Sequence, residues 1–250
     1  MAAAILLAAP ICCVGATLAQ TITSVKPAIV GIGTMLPSRS PAVSFFATGF
    51  VVGDGLSVIS NAHAVPAVLD AAHREVLGVV TGNGDKLEFR SATVVSIDKE
   101  HDLVHLRLSG APLPALRLGD SATMQEGDSL AFTGFPLGMS LGMQPVTHRA
   151  TLSAITPILL PALSAQQLDA RAISQQRKPP FLIFQLDGTA YPGNSGSPLY
   201  DPDDGAVYGV INMTLLKNLK ENAISAPSGI SYAIPAHFVQ LLLQQDAGKK

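Results

Sequence analysis

A serine set between glycines is the side chain in this sequence whose surroundings most invite chemistry. In Gly193-Asn194-Ser195-Gly196-Ser197-Pro198 the glycines permit a tight turn that projects a hydroxyl, leaves nearby backbone N–H groups to receive an oxyanion, and lets a substrate approach closely. Ordinary surface loops use the same residue types, so the segment alone reads equally well as a loop. A histidine follows the apolar run 56–59 in Ser60-Asn61-Ala62-His63-Ala64-Val65, and an imidazole there would be the general base that a serine nucleophile needs. Its plainer alternative is a satisfied histidine at a strand end. The third candidate is Asp102. In Asp102-Leu103-Val104-His105-Leu106-Arg107-Leu108 the period of two puts Asp, Val, Leu and Leu on one face. An aspartate at the head of an apolar face is expected to be buried and to need a hydrogen-bonded partner. A histidine held in one tautomer is the partner that makes chemical sense; the alternative is a strand-end carboxylate turned back to water.

The order of the three residues narrows the choice. Hydrolases of the α/β type run serine, acid, histidine and need glycine two residues after the serine, where this chain has Ser197; subtilisins run aspartate, histidine, serine. His63, Asp102, Ser195 fits only the trypsin-like order.

Such residues must be carried by a frame, and the frame reads as all-β. The sequence holds 22 glycines and 18 prolines between short apolar runs, with no tryptophan, which favours antiparallel strands over helices. Strands are expected at 29–34, 44–52, 56–60, 76–80, 86–89, 92–97 and 103–108, and again at 129–133, 147–155, 181–186, 199–200, 206–212 and 230–234. Gly53-Asp54-Gly55 and Gly82-Asn83-Gly84-Asp85 read as hairpin turns. Two sets of short strands suggest two small barrels, 20–119 carrying His63 and Asp102 and 120–250 carrying Ser195. A closing helix after Pro235 is expected to turn Phe238, Leu241 and Leu242 inward. The stretches 163–180 and 216–228 read as surface loops.

At 48% hydrophobic and 14% charged content the 250-residue chain is too apolar for disorder. A net charge of -2 gives no electrostatic case for nucleic acid or an anionic membrane as partner. Residues 2–19 are uncharged and apolar and end in Thr17-Leu18-Ala19. They read as a signal peptide cut after Ala19, with an uncleaved membrane anchor as the alternative. Both cysteines, Cys12 and Cys13, would leave with it, so the exported chain, periplasmic or secreted, would hold its fold without disulfides. No metal-binding motif is evident, and the acidic turn Asp201, Asp203, Asp204 reads as a solvated hairpin tip rather than a calcium site. No cofactor is expected.

Five segments carry a family resemblance: ATGFVVGDGLSVISNAHAV around His63, IDKEHDLVHLRL around Asp102, LGDSATMQEGDSLAFTGFPLG, QLDGTAYPGNSGSPLYD around Ser195, and GISYAIP before the last helix. In these the chain resembles the protease domain of HtrA-type serine proteases and, more distantly, bacterial glutamyl endopeptidases of the same superfamily. The resemblance implies two antiparallel six-stranded β-barrels with a short C-terminal helix, and endopeptidase action on polypeptides through an acyl-enzyme. It implies Ser195 as nucleophile, His63 as base and acid, Asp102 as orienting carboxylate, and the N–H groups of Gly193 and Ser195 as oxyanion hole. It also implies primary-pocket walls at 187–195, 210–214 and 229–232, with Thr189, Asn212 and Ile230 facing the substrate. Thr189 stands where basic-specific enzymes carry aspartate, and Asn212 where glutamyl endopeptidases carry histidine, so a small or medium apolar side chain is the expected fit. HtrA-type enzymes usually have glycine at the place of Ser197, and no PDZ domain is expected after the helix. A catalytically inactive binding protein on the same scaffold is the alternative function.

Overall fold

The computed structural model describes residues 17–82, 87–138, 142–158, 180–213 and 229–248. Its strands form two closed antiparallel barrels of six. The first contains β1 (Ile29–Met35), β2 (Val43–Val52), β3 (Ser57–Asn61), β4 (Val76–Thr81), β5 (Glu88–Asp98) and β6 (Leu103–Leu108), in the order β1-β2-β3-β6-β5-β4. The second contains β7 (Ser129–Gly134), β8 (Val146–Pro157), β9 (Leu182–Asp187), β10 (Pro198–Tyr200), β11 (Val207–Ile211) and β12 (Ile230–Pro235), in the order β10-β11-β12-β9-β8-β7. Closure leaves few unpaired edges for another chain to pair with. The inward positions are filled by bulky apolar side chains, Ile32, Val51, Val58 and Leu106 in the first barrel and Phe132, Leu152, Phe184 and Leu199 in the second. The first core continues onto Phe135, Tyr200 and Val210 of the second barrel, so an apolar seam joins the two. Between the barrels the chain bridges β2 at Leu116 and β11 at Leu118.

Several expectations need correction. The segments read as separate strands at 86–89 and 92–97 are one strand, β5, because the polar pair Arg90-Ser91 between them stays in the ladder opposite Val79 and Gly78; its register shifts further on, between Val94 and Ser96. On the face of β6 opposite Val104 and Leu106, Leu103 and His105 are buried too, and the C-terminal helix α2 (Ala236–Ala247) packs over His105. His105 Nδ1 meets Asp246 Oδ2 of that helix at 2.8 Å. The helix buries Ala236, Val239, Leu242 and Asp246, while Leu241, expected inside, is 49% exposed.

One helix was not anticipated. α1 (Leu18–Val25) begins at Thr17 with a capping box to Gln20 and sends the Thr21 hydroxyl to the Asp203 carbonyl of the second barrel at 3.4 Å. The expected cut after Ala19 falls in its first turn. Residues 1–16 of the expected leader, the hairpin tip at 83–86 and the loops at 163–179 and 216–228 lie outside the described residues. Among the described residues, no helix is long and apolar enough to cross a membrane.

Candidate active site

β3 ends at Asn61, and the chain closes a 3-10 turn at Ala62–Ala64 that carries His63. Asp102 lies in the turn before β6, with φ of +53°. That left-handed backbone is uncommon for a residue with a Cβ and is held here from both sides. The Asp102 carbonyl accepts from the Ala62 N–H and from Asn61 Nδ2, each at 3.0 Å, so the two turns are cross-linked through their main chains. The Asp102 carboxylate then takes three donors. Oδ1 accepts from the His63 N–H at 2.9 Å, and Oδ2 meets His63 Nδ1 at 2.6 Å and the Asn212 amide at 2.8 Å. Burial alone would raise this carboxyl, but the His63 side chain, its charge, its N–H and the Asn212 amide outweigh burial and hold it below the usual 3.8. With the Nδ1 proton directed at the carboxylate, Nε2 is the basic nitrogen of His63.

Asp102 is therefore half-buried in a turn rather than the first residue of the strand, and Asn212 is not a pocket wall. The residue expected to face the substrate is fully buried, with its amide turned to Asp102. A buried amide needs a partner, and a carboxylate is a stronger acceptor than any group at a pocket mouth.

Asn212 also links the His63 turn to the serine. Its neighbour Met213 donates its N–H to Ser195 Oγ at 3.3 Å, so two adjacent residues after β11 contact Asp102 and Ser195. Around Ser195 the peptide groups are oriented one by one. The Pro192 carbonyl accepts from the Leu137 N–H at 2.7 Å and the Asn194 carbonyl from the Ser197 N–H at 3.0 Å. In a trans peptide the N–H points opposite the C=O, so these bonds turn the Gly193 and Ser195 N–H groups to the other side. Neither N–H meets an acceptor among the described residues, whereas the N–H groups of Asn194 and Gly196 are taken by Tyr191 and Ile211 carbonyls at 2.9 and 2.8 Å. Gly193 has φ of +99°, and a Cβ there would stand 2.3 Å from the Phe135 carbonyl. Two adjacent, outward-turned donors beside a serine hydroxyl are the arrangement that stabilises an oxyanion.

Of the other expected pocket residues, Thr189 is half-buried and Ile230 is 40% exposed. They lie on segments tied to each other. Gly188 N–H donates to the Gly229 carbonyl at 2.8 Å, the Ala190 N–H donates to Ser231 Oγ at 2.9 Å, and that hydroxyl donates to the Gly188 carbonyl at 2.5 Å. Ser231, fully buried, is thus the tie between the expected walls; it lies within the stretch 229–232 but no role was read for it, and Leu137 was missed altogether. The available signal for Ser231 was a small hydroxyl side chain between Ile230 and Tyr232 in a largely apolar strand. In the acidic turn, Asp201 accepts from the N–H groups of Asp203 and Asp204, and Asp204 pairs with Arg117 at 2.6 Å.

Residues 47–210 match the family model described as a trypsin-like peptidase domain. The chain is 27% identical to human serine protease HTRA3 over 238 residues, 93% of this chain and 46% of that protein. It is 29% identical to mitochondrial serine protease HTRA2 of Drosophila pseudoobscura pseudoobscura over 213 residues, 85% of this chain and 42% of that one. With human serine protease HTRA4 it shares 27% over 232 residues, 91% of this chain and 41% of the relative. The chain thus spans less than half the length of these relatives.

Proposed function

The chain belongs to the family of trypsin-like peptidase domains, and on that premise we propose that it is a serine endopeptidase cutting polypeptides by way of an acyl-enzyme. Ser195 Oγ attacks the scissile carbonyl carbon while its proton passes to His63 Nε2, and the oxyanion is received by the N–H groups of Gly193 and Ser195. Collapse of the tetrahedral intermediate breaks the C–N bond, and the leaving amine takes the proton from His63. Water then attacks the ester with His63 as base, and the proton returns to Ser195 as the acid product departs. Asp102 keeps the imidazole in the required tautomer and balances its transient charge.

The observation that supports this most is the convergence of the His63 N–H, His63 Nδ1 and the Asn212 amide on Asp102, one residue away from the Met213 N–H that holds Ser195 Oγ. The names of the relatives, all serine proteases, support it independently. The test is turnover of a peptide selected from a library digest. Ser195→Ala and His63→Ala should each lower kcat by about a million-fold, and the double variant no further, because the residues act as one unit. A single variant retaining a tenth of the activity would contradict the assignment. Peptide binding without cleavage by the unaltered chain would point to the binding-protein alternative.

We place the site of action in the periplasm or the medium, supported by the uncharged apolar run at 2–19. N-terminal sequencing of protein from the cell envelope or medium should begin at Gln20. Intact Met1 in the membrane fraction would favour an anchor.

A further inference from the structure

We propose that Thr48, a residue of the first barrel, is the positioning residue that sets the nucleophile loop of the second, an inference that deepens the serine endopeptidase reading and rests on it. Thr48 is fully buried on β2, and every polar atom it has is engaged. Its N–H donates to the Ser195 carbonyl at 2.9 Å. Its hydroxyl donates to the Gly193 carbonyl at 2.7 Å and accepts from the Phe135 N–H at 3.0 Å. Its own carbonyl accepts from Ser60 Oγ at 2.6 Å, which fixes Thr48 to the strand that leads into the His63 turn.

The consequence follows from peptide geometry. From Pro192 to Ser195 four successive carbonyls each have a donor, and Thr48 supplies two of the four, those of Gly193 and Ser195. These peptide groups alternate with the ones whose N–H groups are turned outward at Gly193 and Ser195. The 194–195 peptide is flanked on both sides by groups bonded to Thr48 and the 192–193 peptide on one, so the outward N–H groups stand between anchors that Thr48 supplies. Contact is close enough that only glycine fits beside Ser195: a Cβ on Gly196 would stand 2.0 Å from the Thr48 carbonyl and 2.4 Å from Ser60 Oγ. A hydroxyl is required because the Thr48 side chain must donate to Gly193 and accept from Phe135 through one atom, which valine cannot do and serine can. Thr48 touches neither substrate nor reacting atoms. It acts through the oxyanion donors, so its removal should affect the transition state and leave ground-state binding alone.

Thr48→Val and Thr48→Ser are compared with the unaltered full-length chain for the rate of labelling by a fluorophosphonate, whose phosphoryl oxygen needs the same donors. Thermal unfolding is followed in parallel. Losing an oxyanion donor outright costs about 10²–10³ in rate. A misplaced donor should cost less, so Thr48→Val is expected to label about ten- to a hundredfold more slowly while Thr48→Ser stays within about threefold. On a cleavable peptide, kcat should fall with KM little changed. A merely structural role would lower the unfolding temperature of Thr48→Val and leave the labelling rate of the folded protein unaltered, which would overturn the inference. Equal losses in Thr48→Val and Thr48→Ser would overturn it too. Should Thr48→Val not fold, Thr48→Ala removes the same hydroxyl without adding a methyl group, and the same outcomes apply. Unaltered protein that does not label at all would remove the endopeptidase reading and this inference with it; normal labelling of both removes the inference alone.

Discussion

The Asn212 amide and the His63 imidazole reach the same atom, Asp102 Oδ2, at 2.8 and 2.6 Å. The carboxylate is thereby fixed in the plane from which it can orient the imidazole, and a residue at the end of β11 in the second barrel completes a pair formed by the first. Replacing Asn212 with leucine, close to it in shape, would leave that oxygen with one donor fewer. Hydrogen bonds to charged groups contribute about 1.5–3 kcal/mol, so a stability loss near the lower figure and a fall in kcat of about tenfold are predicted, measured by urea unfolding and peptide turnover. Unchanged turnover in a stable Asn212→Leu variant would contradict the role given to this bond.

The same donors set a pH dependence of stability. The folded Asp102 carboxyl is held below its usual value, so between the folded value and about 3.9 the unfolded chain binds the extra proton. The stability that Asp102 provides is therefore full above about pH 4 and is lost as the pH falls through the folded value. Urea titrations between pH 5 and 3 should show a decline that is shallower in Asp102→Asn. Parallel curves for the two proteins would mean that Asp102 is not the group responsible.

Gly193 cannot be replaced without moving the loop. Its φ of +99° and the 2.3 Å approach of a Cβ to the Phe135 carbonyl both oppose alanine, which would displace the first oxyanion donor. Gly193→Ala is predicted to lower kcat by about 10²–10³ with little change in KM. Pre-steady-state measurement of acylation is the check, and a loss confined to KM would argue against an oxyanion role.

Specificity is predicted to be apolar. Thr189 and Ile230 are the expected residues that remain on the facing walls once Asn212 is assigned to Asp102, and they put no charge opposite the substrate. A library digest should show cleavage after Val, Ala or Leu, with shallow discrimination, since one methylene is worth only about 1–3 kcal/mol. Thr189→Asp should admit Lys and Arg by supplying their counter-charge. Cleavage by the unaltered chain after Lys, Arg or Glu would contradict this pocket.

Much of the frame was legible because strands of a small barrel alternate inward and outward and are bounded by glycine and proline turns. That pattern misled where a second layer covered a strand or polar residues stood within one. Leu103 and His105 lie opposite the apolar face of Val104 and Leu106 yet are buried, His105 against Asp246 of α2, and the polar pair Arg90-Ser91 made one strand look like two. Ser195, His63 and Asp102 stood out because their types and order carry the chemistry. Their supports did not: Leu137 acts through a backbone N–H, Thr48 through a hydroxyl and its main chain, and Ser231 through a tie between loops. Such residues are chosen by three-dimensional proximity, which linear spacing does not encode. Asn212 was noticed but misplaced, since sequence gave its position after β11 without the direction of its amide.

The most direct measurement is mass-spectrometric mapping of the adduct formed with diisopropyl fluorophosphate. The account predicts one phosphoryl group per chain, on the peptide containing Ser195, with no adduct in His63→Ala over the same time. Absence of an adduct from correctly folded protein, or attachment at a residue other than Ser195, would contradict it.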